Sequence, residues 1–193
     1  MTDNKTDMIF IKPHELGWRE RIFFLLSGII VSIPITLFLE ALDQSFYSFL
    51  PVFITTFLSV VIFAPFIEEF SKAYPLFYRY SLSERSLFQL ALLVGLGFGI
   101  TEFCIYVFIY GVPFYIRLPA IFFHAASTSI VAYGIAKNKA VLFYLLAVGL
   151  HMSANFFAVL NQLIPVMVVT FFTYYLSYLL YQKTTNRYLE PKD

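Results

Sequence analysis

The chain has 193 residues, 60% of them hydrophobic and 13% charged, with a formal net charge of +1. A mean hydropathy of +0.76 excludes an ordinary soluble domain and leaves no room for a sizeable water-soluble domain beside a helical bundle. The near-zero charge gives nucleic acid no footing, and a single cysteine, Cys104, excludes an internal disulfide.

Residues 1–21 are polar and mixed in charge. They lack the short apolar core and small-residue cleavage site of a signal peptide, so they are expected to be retained as an N-terminal arm. His14, within that arm, is assigned no role. A spanning helix needs roughly 20 mostly apolar residues. Six segments qualify: Ile22–Ala41, Thr55–Arg79, Leu87–Tyr110, Tyr115–Ala136, Ala140–Leu160 and Ile164–Tyr181. Asp43–Ser48, Gly111–Phe114 and Asn161–Pro165 read as turns between them. The runs are continuously apolar instead of alternating, which argues against a β-barrel. The expectation is an all-α, polytopic membrane helical bundle of about six transmembrane helices, spanning residues 22–181, with a tail over 182–193.

Lysine and arginine set the orientation. They cluster in the N-terminal arm (Lys5, Lys12, Arg19, Arg21), the second connection (Arg79, Arg85), the fourth (Lys137, Lys139) and the C-terminal tail (Lys183, Arg187, Lys192). The first and fifth connections carry none, and the third carries only Arg117. This alternation predicts cytoplasmic N and C termini and a multi-pass protein of the cell membrane.

The second span holds the most informative feature. Glu68 and Glu69 sit side by side in FLSVVIFAPFIEEFSKAYPLFYRY, whose first eleven residues carry no charge. Carboxylates in hydrocarbon are costly unless they line a polar cavity with partners. Pro65 and Pro75 could kink this span, and a stop near Phe66 would place the pair at the membrane boundary, merely solvated. Depth favours the longer helix. At about 1.5 Å per residue, His151 lies some 16 Å, and Glu69 about 15 Å, from the cytoplasmic boundary. His124 comes to roughly 18 Å and Glu102 to roughly 21 Å on the same count. One layer therefore collects every ionisable group of the interior.

Within that layer, Lys72 stands at i+4 and i+3 from Glu68 and Glu69, where helical side chains meet. It can keep one carboxylate ionised while the other holds a proton, and a carboxyl pair split in this way serves as base and acid. The bland alternative is a structural ion pair. Glu102 follows Gly95, Gly97 and Gly99, of which Gly95 and Gly99 form a small-xxx-small pair for close helix packing. His124 with Thr128, and His151 with Asn155, each share a helix face at i, i+4. Neutral imidazole can act as base or metal ligand, and Asn155 could orient a histidine or stabilise an oxyanion. Glu40, near the outer end of the first span, reads as interfacial. HExxH, GxSxG and phosphate-binding glycine loops are all absent.

These residues carry a resemblance. EEFSK (Glu68–Lys72) resembles the EExxK motif of PrsW-type membrane proteases, and FGITE (Phe98–Glu102) is similar to their FxxxE motif. Motifs around His124 and His151 follow in the expected order. The wider CAAX-protease and bacteriocin-processing superfamily carries EExxxR, FxxxH and HxxxN-like motifs, and His151 with Asn155 fits the last of these. Lysine in the first motif and glutamate in the second make the PrsW type the better match.

The resemblance implies an endopeptidase that cuts membrane-associated protein or peptide substrates near or within the bilayer. Some PrsW-like relatives cleave membrane-anchored anti-sigma factors. A water would be activated by Glu68 or Glu69 with the help of His124 or His151, and Asn155 or an imidazolium would stabilise the oxyanion. Glu102 would complete the catalytic set, with Lys72 and Thr128 in support. Zinc suits these donors, with Glu69, Glu102, His124 and His151 as candidate ligands. A metal-free glutamate mechanism uses the same residues, and the sequence leaves both open. Two rival readings remain: a proton-coupled transporter or channel, since Glu and His chains also relay protons, and a catalytically silent, immunity-type relative.

Overall fold

A computed structural model describes residues 16–47, 49–78 and 83–187. Most of the expected N-terminal arm, with Lys5, Lys12 and His14, lies outside the described residues. So do Arg79, taken as the end of the second span, and the last residues of the tail with Lys192. No strand occurs among the described residues.

Six helices are long and apolar enough to cross a membrane. They are α1 (Trp18–Tyr47), α2 (Val52–Phe77), α3 (Glu84–Ile109), α4 (Phe114–Ala136), α5 (Ala140–Val159) and α6 (Leu163–Gln182). An even number of crossings brings the end of α6 back to the side on which α1 begins. The expected turn at Asp43–Ser48 is corrected: α1 continues as helix through Tyr47. Its polar residues mark where the helix leaves hydrocarbon, and no proline or glycine stops it before Pro51. The shorter connections turn at Gly111 (φ 69°) and Asn161 (φ 56°), both left-handed, but they are tighter than expected: Phe114 already opens α4, and Leu163–Pro165 already belong to α6, where a proline is tolerated in the first turn.

Two of the helices are broken in a way the sequence explains. A π-helical stretch, Gly28–Ser32, precedes Pro34 in α1, and another, Phe57–Phe63, precedes Pro65 in α2. A proline ring collides with the carbonyl four residues earlier and offers no N–H. Widening the preceding turns relieves the collision. In α2 the amide of Ala64 bonds to Ser59 oxygen. In that register the Val60 carbonyl would look to Pro65, which has no hydrogen to give. The side-chain amide of Asn155, on α5, supplies one instead at 2.9 Å. Tyr144, also on α5, donates to the Phe66 carbonyl at 2.8 Å. Two side chains of one helix thus splint the broken helix beside it.

The helix α4 is central and by far the most buried of the six. Between it and α1 lies α3, in near backbone contact with both. A Cβ on Gly95 would collide with the His124 carbonyl, and one on Gly97 with the Leu25 carbonyl. The expected Gly95–Gly99 packing stripe is therefore real, and it faces α4. At the end of the bundle where α3 starts and α4 and α6 finish, Glu84 forms a clamp. It takes both carboxylate oxygens to Lys137 at 2.7 and 2.8 Å and accepts from the backbone and hydroxyl of Thr185 at 3.1 Å.

Candidate active site

Four helices bring the predicted polar residues together, although α2, α3, α4 and α5 each contribute them from a different point of the chain. Burial is nearly complete: Glu69 and Lys72 have no exposed surface, His124 has 2%, His151 4% and Glu68 7%. Such burial demands internal partners for each charge, and most are present.

Lys72 is the hub. Its ammonium donates to Glu69 at 2.6 Å, to Nδ1 of His124 at 2.9 Å and to the Ser127 hydroxyl at 3.4 Å. It lies 5.1 Å from the centroid of the Phe98 ring, above its face. Of the two glutamates within one turn of Lys72, Glu69 at i, i+3 is the one that pairs with it. The same oxygen of Glu69, Oε1, also accepts from Ser127 at 3.0 Å and meets Nδ1 of His151 at 3.0 Å. Its other oxygen, Oε2, is buried with no hydrogen-bond partner among the described residues.

The histidines are tethered symmetrically. Nε2 of His124 meets Oε2 of Glu102 at 2.6 Å, and Oε1 of Glu102 pairs with Arg117 at 2.7 Å. Arg117 in turn stacks 3.8 Å above the Tyr106 ring. Each imidazole therefore has one nitrogen turned to a carboxylate, Glu102 or Glu69, and the tautomer follows from those bonds. The remaining nitrogens turn toward one atom. Oε2 of Glu68 lies 3.9 Å from Nδ1 of His124 and 3.7 Å from Nε2 of His151, and it is buried without a hydrogen-bond partner. The rings of Phe98 and Phe123 wall the pair, each 5.1 Å from an imidazole.

This arrangement fits a divalent metal. Glu68, His124 and His151 each offer one ligand atom, all within 4.8 Å of one another. An orphaned carboxylate oxygen between two imidazole lone pairs is the donor set of a catalytic site with an open position. Carboxylates on the far nitrogens supply the outer-shell support that such ligands need. The sequence reading nominated Glu69 and Glu102 beside the histidines. Here those two hold the histidines from behind, and Glu68 faces them.

Asn155 and Thr128 lie elsewhere than local spacing suggested. Asn155 bonds to the α2 backbone, not to His151. Thr128 returns its hydroxyl to the His124 carbonyl at 2.7 Å and stays in its own helix. Arg117 and Ser127 were missed as site residues. Arg117 registered only as a charge in a connection, and a serine among many carries no local signal. Glu40, read as interfacial, is partly buried.

A cavity of about 390 Å³ reaches this cluster from the side of the α5–α6 connection. Glu102, His124, His151 and Asn155 lie along it, and Arg117, Asn161 and Gln162 add polar groups to its walls. The volume is that of an ordinary ligand site, about 300–1,000 Å³.

Comparison with known families decides the identity. A model of the PrsW family of intramembrane metalloproteases matches residues 17–181, most of the chain. The chain belongs to the PrsW protease family. It is a membrane-embedded protease and a multi-pass integral membrane protein, which favours the protease reading over the transporter one. No curated protein and no solved structure matches the chain. The PrsW motifs seen in the sequence, EEFSK and FGITE, are the segments that supply Glu68, Glu69, Lys72 and Glu102 to the cluster.

Proposed function

We propose that this PrsW-family chain hydrolyses a peptide bond of a membrane-associated protein with Glu68, His124 and His151 holding a zinc-class divalent ion and Glu69 acting as the proton carrier. The observation that supports the reading is the single buried oxygen of Glu68 facing one ring nitrogen of each histidine, the one turned away from its carboxylate. A divalent ion bound there supplies Lewis acidity toward the scissile carbonyl and the attacking water.

The protein's own groups do the rest. Glu69 keeps His151 oriented through Oε1, and its unpaired Oε2 accepts the proton that the attacking water loses. The same carboxyl then returns that proton to the departing amine, so the group ends as it began. Glu102, braced by Arg117, fixes the His124 ring. Lys72 balances the charge of Glu69. Its bond to Nδ1 of His124 and a metal at that nitrogen are mutually exclusive, because the nitrogen has one lone pair; on loading, Lys72 retains Glu69 and Ser127. Asn155 has a second N–H and lines the cavity, where it can meet a substrate carbonyl. Membrane-anchored anti-sigma factors are the substrate class that the family resemblance suggests, and cytoplasmic termini are the orientation that the charge pattern supports.

Metal content and cleavage separate the roles. Purified chain should carry about one divalent ion. Glu68→Gln and His151→Ala should lose the ion together with cleavage of a membrane reporter. Glu69→Gln should keep the ion and still lose cleavage by about 10²–10⁴-fold, the range for a proton-transfer group. Full cleavage by chelated, metal-free protein would overturn the metal assignment.

A further inference from the structure

The helices α4 and α6 are closed against each other at one end and parted at the other. Toward the end of α6, the Ser129 and Ser177 hydroxyls share a hydrogen bond at 2.7 Å. Thr173 is fully buried there, and Ile130 and Leu180 belong to one apolar cluster. Toward the start of α6 the contact fails: no residue of that helix before Thr170 is buried. At the same level Pro119 interrupts the hydrogen bonding of α4.

The parted half has a cavity on each side. Inward lies the cavity that reaches the catalytic cluster at Glu102, His124 and His151. Outward lies a second cavity, of about 280 Å³, bounded by Leu118, Phe122, Phe171 and Tyr174. All four are at least 43% exposed, on the surface that faces lipid in a membrane. Pro119, Met167 and Thr170 line both cavities and so form their common wall. Met167 is its adaptable member, an unbranched thioether on the loosely held part of α6.

We propose that this seam is the lateral entrance through which a membrane-spanning protein passes an apolar, locally unwound segment to the glutamates and histidines. The proposal rests on the protease reading and adds the route and form of the substrate. Continuity with the catalytic cavity is the first argument. The second is chemical: an unwound segment exposes backbone amides that hydrocarbon cannot satisfy, and the inner cavity presents Asn155, Asn161, Gln162 and Arg117 to receive them. A lipid acyl chain has no use for such groups. The outer cavity, apolar and open to the bilayer, suits the segment while still helical.

Photolabelling in phospholipid vesicles tests the route. The probe is a membrane-spanning Leu/Ala peptide with a benzophenone amino acid at mid-length, and labelled residues are read by mass spectrometry. The expected result is labelling concentrated on Leu118, Phe122, Phe171 and Tyr174. Met167→Trp, which thickens the common wall, should cut labelling within the inner cavity at least fivefold. Val168→Trp, on the neighbouring exposed position, serves as the steric control and should leave it unchanged. Labelling spread over all lipid-facing helices, or inner labelling indifferent to Met167→Trp, overturns the proposal. Equal seam labelling by a benzophenone phospholipid, undiminished by the peptide, assigns the groove to lipid and also overturns it. Glu68→Gln should abolish cleavage while leaving labelling intact. Seam labelling by a wild-type chain that cleaves nothing breaks the catalytic reading and leaves the entrance standing.

Discussion

Two groups of buried glutamate occur in this bundle, and they are built to opposite standards. At the clamp, Glu84 has every oxygen committed: Lys137 bridges both, and Thr185 adds a backbone and a hydroxyl donor. In the membrane interior, where desolvation is harsher, Glu68 and Glu69 each keep one buried oxygen without a partner. A protein that can satisfy a carboxylate at the bundle's edge leaves two unsatisfied at its centre. An unpartnered polar atom in a dry interior is costly, so the contrast points to reactivity at the centre and to cohesion at the clamp.

The sharpest way to break the contrast is to neutralise both. Glu68→Gln should abolish cleavage, while thermal unfolding in detergent, compared with wild type after both are stripped of metal, stays put or shifts upward because an uncompensated carboxylate is removed. Equal loss of stability in Glu68→Gln and Glu84→Gln would erase the distinction. One shell out, Arg117→Gln should lower activity by about 10–100-fold, the range seen when the group behind a ligand is lost, by freeing Glu102 and with it the His124 ring. A full rescue by Lys at this position would show that charge alone suffices; the stacking on Tyr106 leads us to expect only partial rescue.

At the clamp, Glu84→Gln should cost roughly 1–3 kcal/mol of stability and leave cleavage per folded molecule within about twofold of wild type. Thermal unfolding followed by fluorescence, paired with activity on the folded fraction, checks both. The smallest effect is expected at the Ser129–Ser177 bond, where Ser129→Ala should cost roughly 0.6 kcal/mol, the typical worth of such an interhelical bond in a membrane protein. Its activity should be unaltered.

The comparison also marks how far the sequence could be read. Helical rise alone brought Glu69, Glu102, His124 and His151 to one depth, and the structure joins them there. Depth is a one-dimensional quantity, fixed by counting from each helix end. Partner choice is azimuthal and depends on how four helices are turned toward one another. For that reason Lys72 could be paired with either glutamate, and the bond of Asn155 to a carbonyl on another helix could not be foreseen. Arg117 was hidden by its position near a helix end, where a lone arginine ordinarily reports topology. The clamp was hidden too, since Glu84 sits in a polar connection where carboxylates are unremarked. The break in α2 was legible in Pro65, but the widening of the seven residues ahead of it was not.

The near contact of α3 with the backbones of α1 and α4 has a bearing on how the enzyme meets different membranes. Side-chain interfaces can slide as a bilayer thickens or thins; a seat of glycine against carbonyl cannot, because no rotamer is available to absorb the shift. Acyl-chain length should therefore be taken up by tilt of α2 and by the loosely seated start of α6. The spacing between Glu102 on α3 and His124 on α4 is then a constant of the protein, indifferent to the lipid around it.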